Sequence, residues 1–373
     1  MALNKSSPKI SLFLPSLEIG GVERVSLNLA EGFARKGLYV DLVIAQAKGD
    51  YLKRIPQGVR VIDLKTSRVA ASLLPLIKYI RTERPSCLIV GKEYAGIVAI
   101  MAKKLAGVPI KVLATIHTIL SSHMKFTKVI RERIIIRCLA RYLYPRADYI
   151  IAASNGIAKD VSHVLKIPLD QITVIYNPVV SDEFFIQANR PVSHPWFVEG
   201  SLPVIISIGR LTISKDYPTL ITAFAKVRET RNVRLVIFGD GEERLRIESL
   251  IRHLELQNDI WMPGFVYPPY PFLARSSAFV LSSLWEGLPT VIIEALALGV
   301  SVVSTDCPHG PREILCDGKF GRLVPVRDSD ALANGIIQIL EHPDCPETLK
   351  TRAAIFSIES AVSRYLQVLG FID

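Results

Sequence analysis

Three stretches of the 373-residue sequence hold side chains whose types and spacing could do chemistry. In Ser207-Ile208-Gly209-Arg210-Leu211-Thr212-Ile213-Ser214-Lys215, an apolar strand ends in glycine. Arginine follows at once, and lysine five residues later. A guanidinium fork and an ammonium point charge at a strand's carboxyl end suit a diphosphate. Taken alone, a solvated Arg and Lys is the plainer reading. In Glu286-Gly287-Leu288-Pro289-Thr290-Val291-Ile292-Ile293-Glu294, Pro289 fits the first helical position. That puts Glu286 in the preceding loop and Glu294 inside a very apolar helix. A carboxylate there is costly unless hydrogen-bonded. Ligand hydroxyls, such as those of a ribose, would satisfy it; so would an internal arginine. The third stretch, Ile19-Gly20-Gly21-Val22-Glu23, follows the first strand and opens a helix. Glycines there admit a ligand to the backbone, and helix N-terminal amides attract phosphate; an ordinary tight turn has the same pattern. Phe238-Gly239-Asp240-Gly241-Glu242-Glu243 is a truncated G-x-G and weak by itself. Asp306-Cys307-Pro308-His309-Gly310-Pro311-Arg312-Glu313 is a further strand–turn–helix junction.

These residues need a scaffold that brings strand ends together. Short β-branched runs alternate with helical patterns. The predicted strands are Lys9–Leu14, Val40–Ile44, Arg60–Ile62, Cys87–Val90, Lys111–Ile116, Tyr149–Ala152 and Thr173–Tyr176. A second set is Val204–Ile208, Val233–Phe238, Ile260–Met262, Ala278–Leu281 and Ser301–Thr305. Between them lie helical patterns such as Val22–Arg35, stopped by Gly37, and Pro218–Arg228. Strands apolar on both faces argue for parallel sheets covered by helices. The expected fold is α/β: two doubly wound, Rossmann-like domains facing a cleft, with ligands beyond the carboxyl ends of strands. The expected divisions are 1–180, then 181–356, then a helix over 357–373 crossing back to the first domain. Residues 182–200 read as a linker.

Composition excludes several classes. With 49% hydrophobic and 21% charged residues, the chain is neither disordered nor fibrous. Five scattered cysteines without a C-x-x-C pair exclude a disulfide scaffold or a zinc knuckle and suit a reducing compartment. No unbroken apolar run reaches the ~18–20 residues of a membrane span, and Ile10–Leu14 is too short for a signal peptide core. The expected place is cytoplasmic, peripheral on the inner face of the membrane. Residues 1–180 carry 27 Lys+Arg against 12 Asp+Glu, whereas 181–373 carry 18 against 23. Within 103–146, ten basic residues meet one acid, Glu132.

Glu286 and Glu294 match the E-x7-E signature of retaining glycosyltransferases with the GT-B fold. Gly20-Gly21, Gly209-Arg210…Lys215 and Gly310-Pro311-Arg312-Glu313 fall in the expected order around it. The chain resembles family 4 of these enzymes over nearly its whole length. Gly-Gly-Val-Glu-Arg-Val and Cys-Pro-His-Gly-Pro-Arg-Glu-Ile-Leu look most like bacterial enzymes of lipid-linked oligosaccharide, capsule or O-antigen synthesis. The resemblance implies a hexosyl- or N-acetylhexosaminyltransferase using a nucleotide-sugar, often a UDP-sugar, and a lipid-linked or oligosaccharide acceptor. It implies that Arg210 and Lys215, beside Gly209, neutralise the donor diphosphate. Glu294 would bind the ribose. Glu286 would sit against the donor sugar, with the backbone of Gly287, Leu288 and Thr290 nearby. Gly20 and Gly21 would approach the diphosphate, and the base would rest near Gly264-Phe265-Val266. On residues alone His117 reads as a satisfied core histidine; the resemblance turns it toward the donor sugar's hydroxyls. No metal is expected, because two cations can take up the leaving charge. Asp328-Ser329-Asp330 matches a D-x-D, but it precedes a helical pattern where Asp is an ordinary N-cap. Same-face attack without an obligatory nucleophile is what the resemblance implies for stereochemistry.

The basic cluster contains Arg133, Arg137 and Arg141 at helical spacing, with Ile130, Ile134, Ile135, Leu139 and Tyr142 as apolar partners. A basic amphipathic helix suits an anionic membrane surface; a solvated outer helix has the same composition. No nucleic-acid motif accompanies the charge. The competing readings are a soluble-acceptor transferase, a nucleotide-sugar epimerase on the same fold, and a non-catalytic nucleotide-sugar-binding module.

Overall fold

Two-faced apolar strands can be satisfied only by burial on both sides, and the chain folds accordingly. The computed structural model describes residues 8–18, 20–121 and 130–372, with residues 130–136 by their backbone alone. Two units form: Met1–Pro178 with Ile358–Asp373, and Val179–Ser357.

The first unit is built on β1 (Lys9–Leu14), β2 (Tyr39–Ile44), β3 (Val59–Asp63), β4 (Cys87–Val90), β5 (Lys111–Ile116), β6 (Tyr149–Ala152) and β7 (Ile172–Val174). They lie in the order β3-β2-β1-β4-β5-β6-β7, every pair parallel. The order reverses between β1 and β4. The second unit uses β8 (Val204–Ile208), β9 (Arg234–Phe238), β10 (Ile260–Gly264), β11 (Ala278–Leu281), β12 (Val302–Thr305) and β13 (Arg322–Val324). Their order, β10-β9-β8-β11-β12-β13, reverses between β8 and β11. At such a reversal the connections leave in opposite directions and open a crevice at the carboxyl ends.

Two features were not legible. The edge strand β13 is three residues long and follows Gly321, too short for a periodicity signal. The supposed linker 182–200 is structured within the second unit. Ser181 Oγ accepts from Phe184 N at 3.1 Å and caps a helix, Asp182–Ala188. Phe184 packs on Tyr270, and His194 stacks on Trp261 at 3.9 Å.

The last helix, Ile358–Leu369, belongs to the first unit and packs on the helix Gly21–Arg35. Ile358, Val362, Tyr365, Leu366 and Leu369 are buried with Phe33. Phe33 and Tyr365 meet edge to face. A Cβ at Gly32 would lie 2.5 Å from side-chain atoms of both Ile358 and Val362, so glycine sets this close approach. Gly32→Val is expected to lower stability by about 1–3 kcal/mol, the usual size of an overpacking penalty. A urea midpoint equal to wild type would contradict this.

At the amino ends of β1, β2 and β3, Arg60 binds both Asp41 oxygens, at 2.8 and 2.7 Å, and also Glu83 at 2.7 Å. Lys9 adds a 2.6 Å bond to Glu83. Arg60 first and Lys9 second hold the Glu83 carboxyl down to about 2, against an ordinary 4.5. Its stabilising contribution is complete above 4.5 and lost as pH falls toward 2. Melting curves of Glu83→Gln should therefore fall less steeply between these values than those of wild type; parallel profiles would refute the linkage.

Candidate active site

The β8/β11 reversal collects the expected residues of the second unit. β8 ends at Ile208, and the chain turns through Gly209 and Arg210 to a 3-10 turn, Ile213–Lys215. β11 ends at Leu281, and Ser282, Ser283 and Glu286 follow. The loops are tied together: Leu284 N donates to Ser214 O at 2.7 Å and Ser282 Oγ to Lys215 O at 2.7 Å. Lys215 Nζ thereby meets Glu286 Oε1 at 2.5 Å, and Ser283 Oγ donates to the same oxygen at 2.6 Å. Both members of this ion pair are mostly enclosed, with side-chain exposures of 19% and 12%. Arg210 is exposed beside them in sequence.

Glycine placement has specific causes here. A Cβ at Gly209 would lie 3.2 Å from Tyr217 Oη and 3.3 Å from Lys215 Cε, so this position lets the lysine stem lie close. Gly239 and Gly241, the truncated G-x-G, serve backbone contact. A Cβ on them would fall within 1.9 Å of Gly209 O and 2.3 Å of Leu211 O. Leu211 N donates to Asp240 O at 2.9 Å across the same contact. Gly310, at φ +79°, lies against Pro289 and the carbonyl of Gly287.

Pro289 precedes the helix Thr290–Ala297, which has no side-chain cap. Its first-turn N–H groups are the kind that attract anions. Gly287 is half-buried and Leu288 buried just ahead of it. Glu294 lies inside this helix at 2% exposure. The base-side candidates lie at the end of β10 and just beyond it: Gly264, its last residue, is at φ +95°, Val266 is half-buried, and Phe265 is 62% exposed, its ring nearly parallel to that of Tyr267.

Sequence reasoning missed Ser283 and Thr305. Thr305 Oγ1 donates to Ser283 O at 2.6 Å and fixes the residue that holds Glu286. The adjacent Ser282-Ser283 at a strand end was the available signal. Cys307 is buried beside the pair; burial first, and then the Glu286 charge, pushes its thiol up to about 12. It stays protonated and is a poor nucleophile. Asp328 Oδ1 accepts from Ala331 N at 2.8 Å, and Asp330 pairs with Lys226 at 2.6 Å. Both carboxylates of the D-x-D thus have structural partners. No cluster of three or more metal-ligating side chains occurs among the described residues.

In the first unit, Gly20 and Gly21 follow β1 at its reversal, and Ile19 lies outside the described residues. Gly20 has an internal reason to be glycine: a Cβ would lie 2.3 Å from Glu23 Oε2. Glu23 is buried and paired with Lys92 at 2.6 Å. Of these two glycines, Gly21 is the one with open space over its Cα. His117 follows β5 with both ring nitrogens already within hydrogen-bonding reach of protein groups, Thr115 and Asn177. It has no spare nitrogen for a sugar hydroxyl in this geometry.

The arginine stripe needs correction. Arg133 lies outside the described side chains. Arg137 and Arg141 are half-buried, and Arg141 Nε donates to Val164 O at 2.9 Å. Arg141 therefore anchors the helix Ile130–Leu143. The outward face carries Leu139 (41% exposed) and Tyr142 (59%), with the Arg146 guanidinium 3.7 Å over the Tyr142 ring. Lys103 is paired with Asp148. No described helix is long and apolar enough to cross a membrane.

Two parallel sheets, each with a reversal of strand order that opens a crevice at the carboxyl ends, define the doubly wound class of α/β architecture. The model for Glycosyltransferase Family 4 matches residues 19–183, and that for Glycosyl transferases group 1 matches 195–355. An uncharacterized glycosyltransferase of Methanocaldococcus jannaschii is 35% identical over 60% of this chain; the chain spans 64% of that relative's length. A Campylobacter jejuni relative is 26% identical, with 92% of this chain and 93% of the relative covered. It is named as N-acetylgalactosamine-N,N'-diacetylbacillosaminyl-diphospho-undecaprenol 4-alpha-N-acetylgalactosaminyltransferase. The crystal structure of a Rickettsia africae glycosyltransferase superposes with TM-score 0.81 at 19% identity, covering 98% of both chains. Anabaena HepE, solved in complex with UDP, gives TM-score 0.77 at 20% identity, covering 98% of this chain and 100% of the other. The chain is a family 4 glycosyltransferase with the GT-B fold.

Proposed function

We propose that the chain is a retaining transferase that moves a hexosyl or N-acetylhexosaminyl group from a nucleotide-sugar, UDP-linked in the first instance, to a lipid-linked or membrane-borne glycan acceptor. The assembly of surface polysaccharide is its setting. The carrying observation is the Lys215–Glu286 pair at the β8/β11 reversal, with Arg210 on the same loop. The relatives support the acceptor class: one is named for a diphospho-undecaprenol acceptor and another for lipopolysaccharide core biosynthesis.

A sugar leaving a nucleotide develops negative charge on the diphosphate and positive charge on the ring. Arg210 and Lys215 meet the first. The donor's phosphate competes with Glu286 for Lys215. Glu286, still held by Ser283, is then left with excess negative charge beside the sugar. Glu294 binds the ribose hydroxyls from within its helix, and the base rests at Gly264–Val266. The test is a panel of UDP- and GDP-sugars with lipid-diphosphate acceptors, read by mass spectrometry. Addition of one sugar to an acceptor is expected; donor intact across the whole panel would sink the reading.

Turnover is expected to persist in EDTA, because the two cations take the place of a metal and Asp328 and Asp330 have other partners. Loss in EDTA with recovery on Mg²⁺ or Mn²⁺ would overturn this.

The 103–146 segment is the proposed contact with an anionic membrane surface, on the cytoplasmic face. Leu139, Tyr142 and Arg146 replace the arginine stripe as its support. Each basic residue near an anionic surface contributes about 1 kcal/mol, screened beyond ~8–10 Å. Flotation with anionic vesicles should fall at high salt and fall further in Tyr142→Ser/Arg146→Glu. Equal recovery with neutral vesicles would favour a soluble acceptor.

A further inference from the structure

The turn that presents Arg210 rests on Tyr217. This residue opens the helix Tyr217–Thr230 and is 2% exposed. Asp216, at φ +45°, joins the 3-10 turn Ile213–Lys215 to that helix; Asp enters the left-handed region more readily than most residues. The chain reverses there, and Tyr217 Oη donates to the Gly209 carbonyl, eight residues back, at 3.0 Å. A Cβ at Gly209 would lie 3.2 Å from that hydroxyl oxygen and 3.3 Å from Lys215 Cε. Tyrosine and lysine stem thus close on the same glycine.

The direction of this bond is fixed. A carbonyl only accepts, so the hydroxyl proton belongs to it. The Tyr217 oxygen in turn accepts from Ser207, a buried side chain of β8. Burial, chiefly, raises the Tyr217 pKa; the Ser207 hydrogen bond opposes that shift and the Glu286 charge adds to it. The hydroxyl keeps its proton, and the donor is permanent. The Gly209 carbonyl shares one planar peptide with Arg210 N, so the bond sets the plane from which Arg210 departs. Gly239 closes on the same carbonyl, since a Cβ there would lie 1.9 Å from Gly209 O. The next amide, Leu211 N, is tied to Asp240 O at 2.9 Å.

We propose that Tyr217 is a positioning residue for the donor diphosphate: its hydroxyl fixes the Gly209–Arg210 peptide and thereby aims the Arg210 guanidinium. The consequence for binding rests on the diphosphate reading above; the anchoring of the turn does not. An exposed arginine loses rotamer freedom when it engages a ligand. A fixed backbone beneath it narrows the directions it must search. Tyr217 itself, buried under the turn, touches no substrate.

The experiment compares Tyr217→Phe and Ser207→Ala with wild type in the full chain, by two readouts. Hydrogen exchange of the ligand-free protein, read by mass spectrometry, should be faster over residues 209–215 in Tyr217→Phe and unchanged over β11 and β12. Calorimetric titration should show the preference for UDP over UMP reduced roughly 2- to 10-fold, the span of one hydrogen bond's net contribution. In an Arg210→Ala background, Tyr217→Phe should leave that preference where Arg210→Ala alone puts it, because the tyrosine acts through the arginine. A role in stability alone would lower the melting temperature without moving the ratio. Unchanged exchange over 209–215, an unchanged ratio, or an equal fall with and without Arg210 overturns the proposal. Ser207→Ala leaves the carbonyl its donor, so exchange over 209–215 and the ratio should stay within about twofold of wild type. Loss of the ratio in this variant overturns the proposal too, even if Tyr217→Phe does not fold. Wild type that binds UDP and UMP equally would refute the diphosphate reading, while the ligand-free exchange still judges the anchoring by itself.

Discussion

Lys215→Ala and Arg210→Ala should each lower turnover by about 10²–10³-fold while the protein stays folded. That is the usual loss when one preorganised stabiliser of developing charge is removed. The two variants separate chemistry from structure. Arg210 is exposed, so its truncation leaves no buried group unpaired, and its effect reads the diphosphate role directly. Lys215 is mostly enclosed and paired with Glu286. Its loss also leaves that carboxylate dependent on Ser283 alone, so a modest loss of stability should accompany the larger loss of rate. Near-normal kcat in both variants, with unchanged melting curves, would remove the diphosphate assignment.

Deleting residues 357–373 should have the largest effect on stability. Ile358, Val362, Tyr365, Leu366 and Leu369 are all buried in the first unit's core. A fully buried large apolar side chain contributes roughly 1.5–3 kcal/mol. Total stabilities are about 5–15 kcal/mol, so the loss is comparable to the whole margin. The truncated chain should either fail to fold or melt more than ~10 °C lower, at roughly 2–4 °C per kcal/mol. No residue of the candidate site is removed. A truncated protein with wild-type melting temperature and turnover would show that this helix is dispensable.

Much of this was legible because the signals were local and strong. β4 and β11 are uninterrupted apolar runs, and β1, β5 and β8 are apolar apart from Lys9, Ser11, Lys111, Thr115 and Ser207; that pattern marks them as strands. Glu286 in a loop and Glu294 in a helix follow from Pro289. What stayed hidden depends on contacts between distant segments. Nothing in the sequence shows that Lys215 pairs with Glu286, 71 positions away, or that Gly239 is glycine because of the Gly209 carbonyl. Gly20 looked like a ligand-facing residue, yet the Glu23 side chain fills the space over it. Arg141 looked like part of a surface stripe; only the fold reveals the Val164 carbonyl that it binds. The His117 environment likewise joins the end of β5 to the segment after β7, and spacing carries no trace of it.

The claim that the β8/β11 reversal recognises a donor diphosphate is tested most directly by calorimetric titration of UDP and UMP into wild type, Arg210→Ala and Lys215→Ala. UDP differs from UMP by one phosphate, so the ratio of their affinities isolates what the two cations recognise. The expected result is that wild type binds UDP at least ~10-fold more tightly than UMP, the equivalent of about 1.4 kcal/mol, and that the ratio falls toward unity in both variants. Equal affinity for UDP and UMP in wild type, or an undiminished ratio in both variants, would contradict the account.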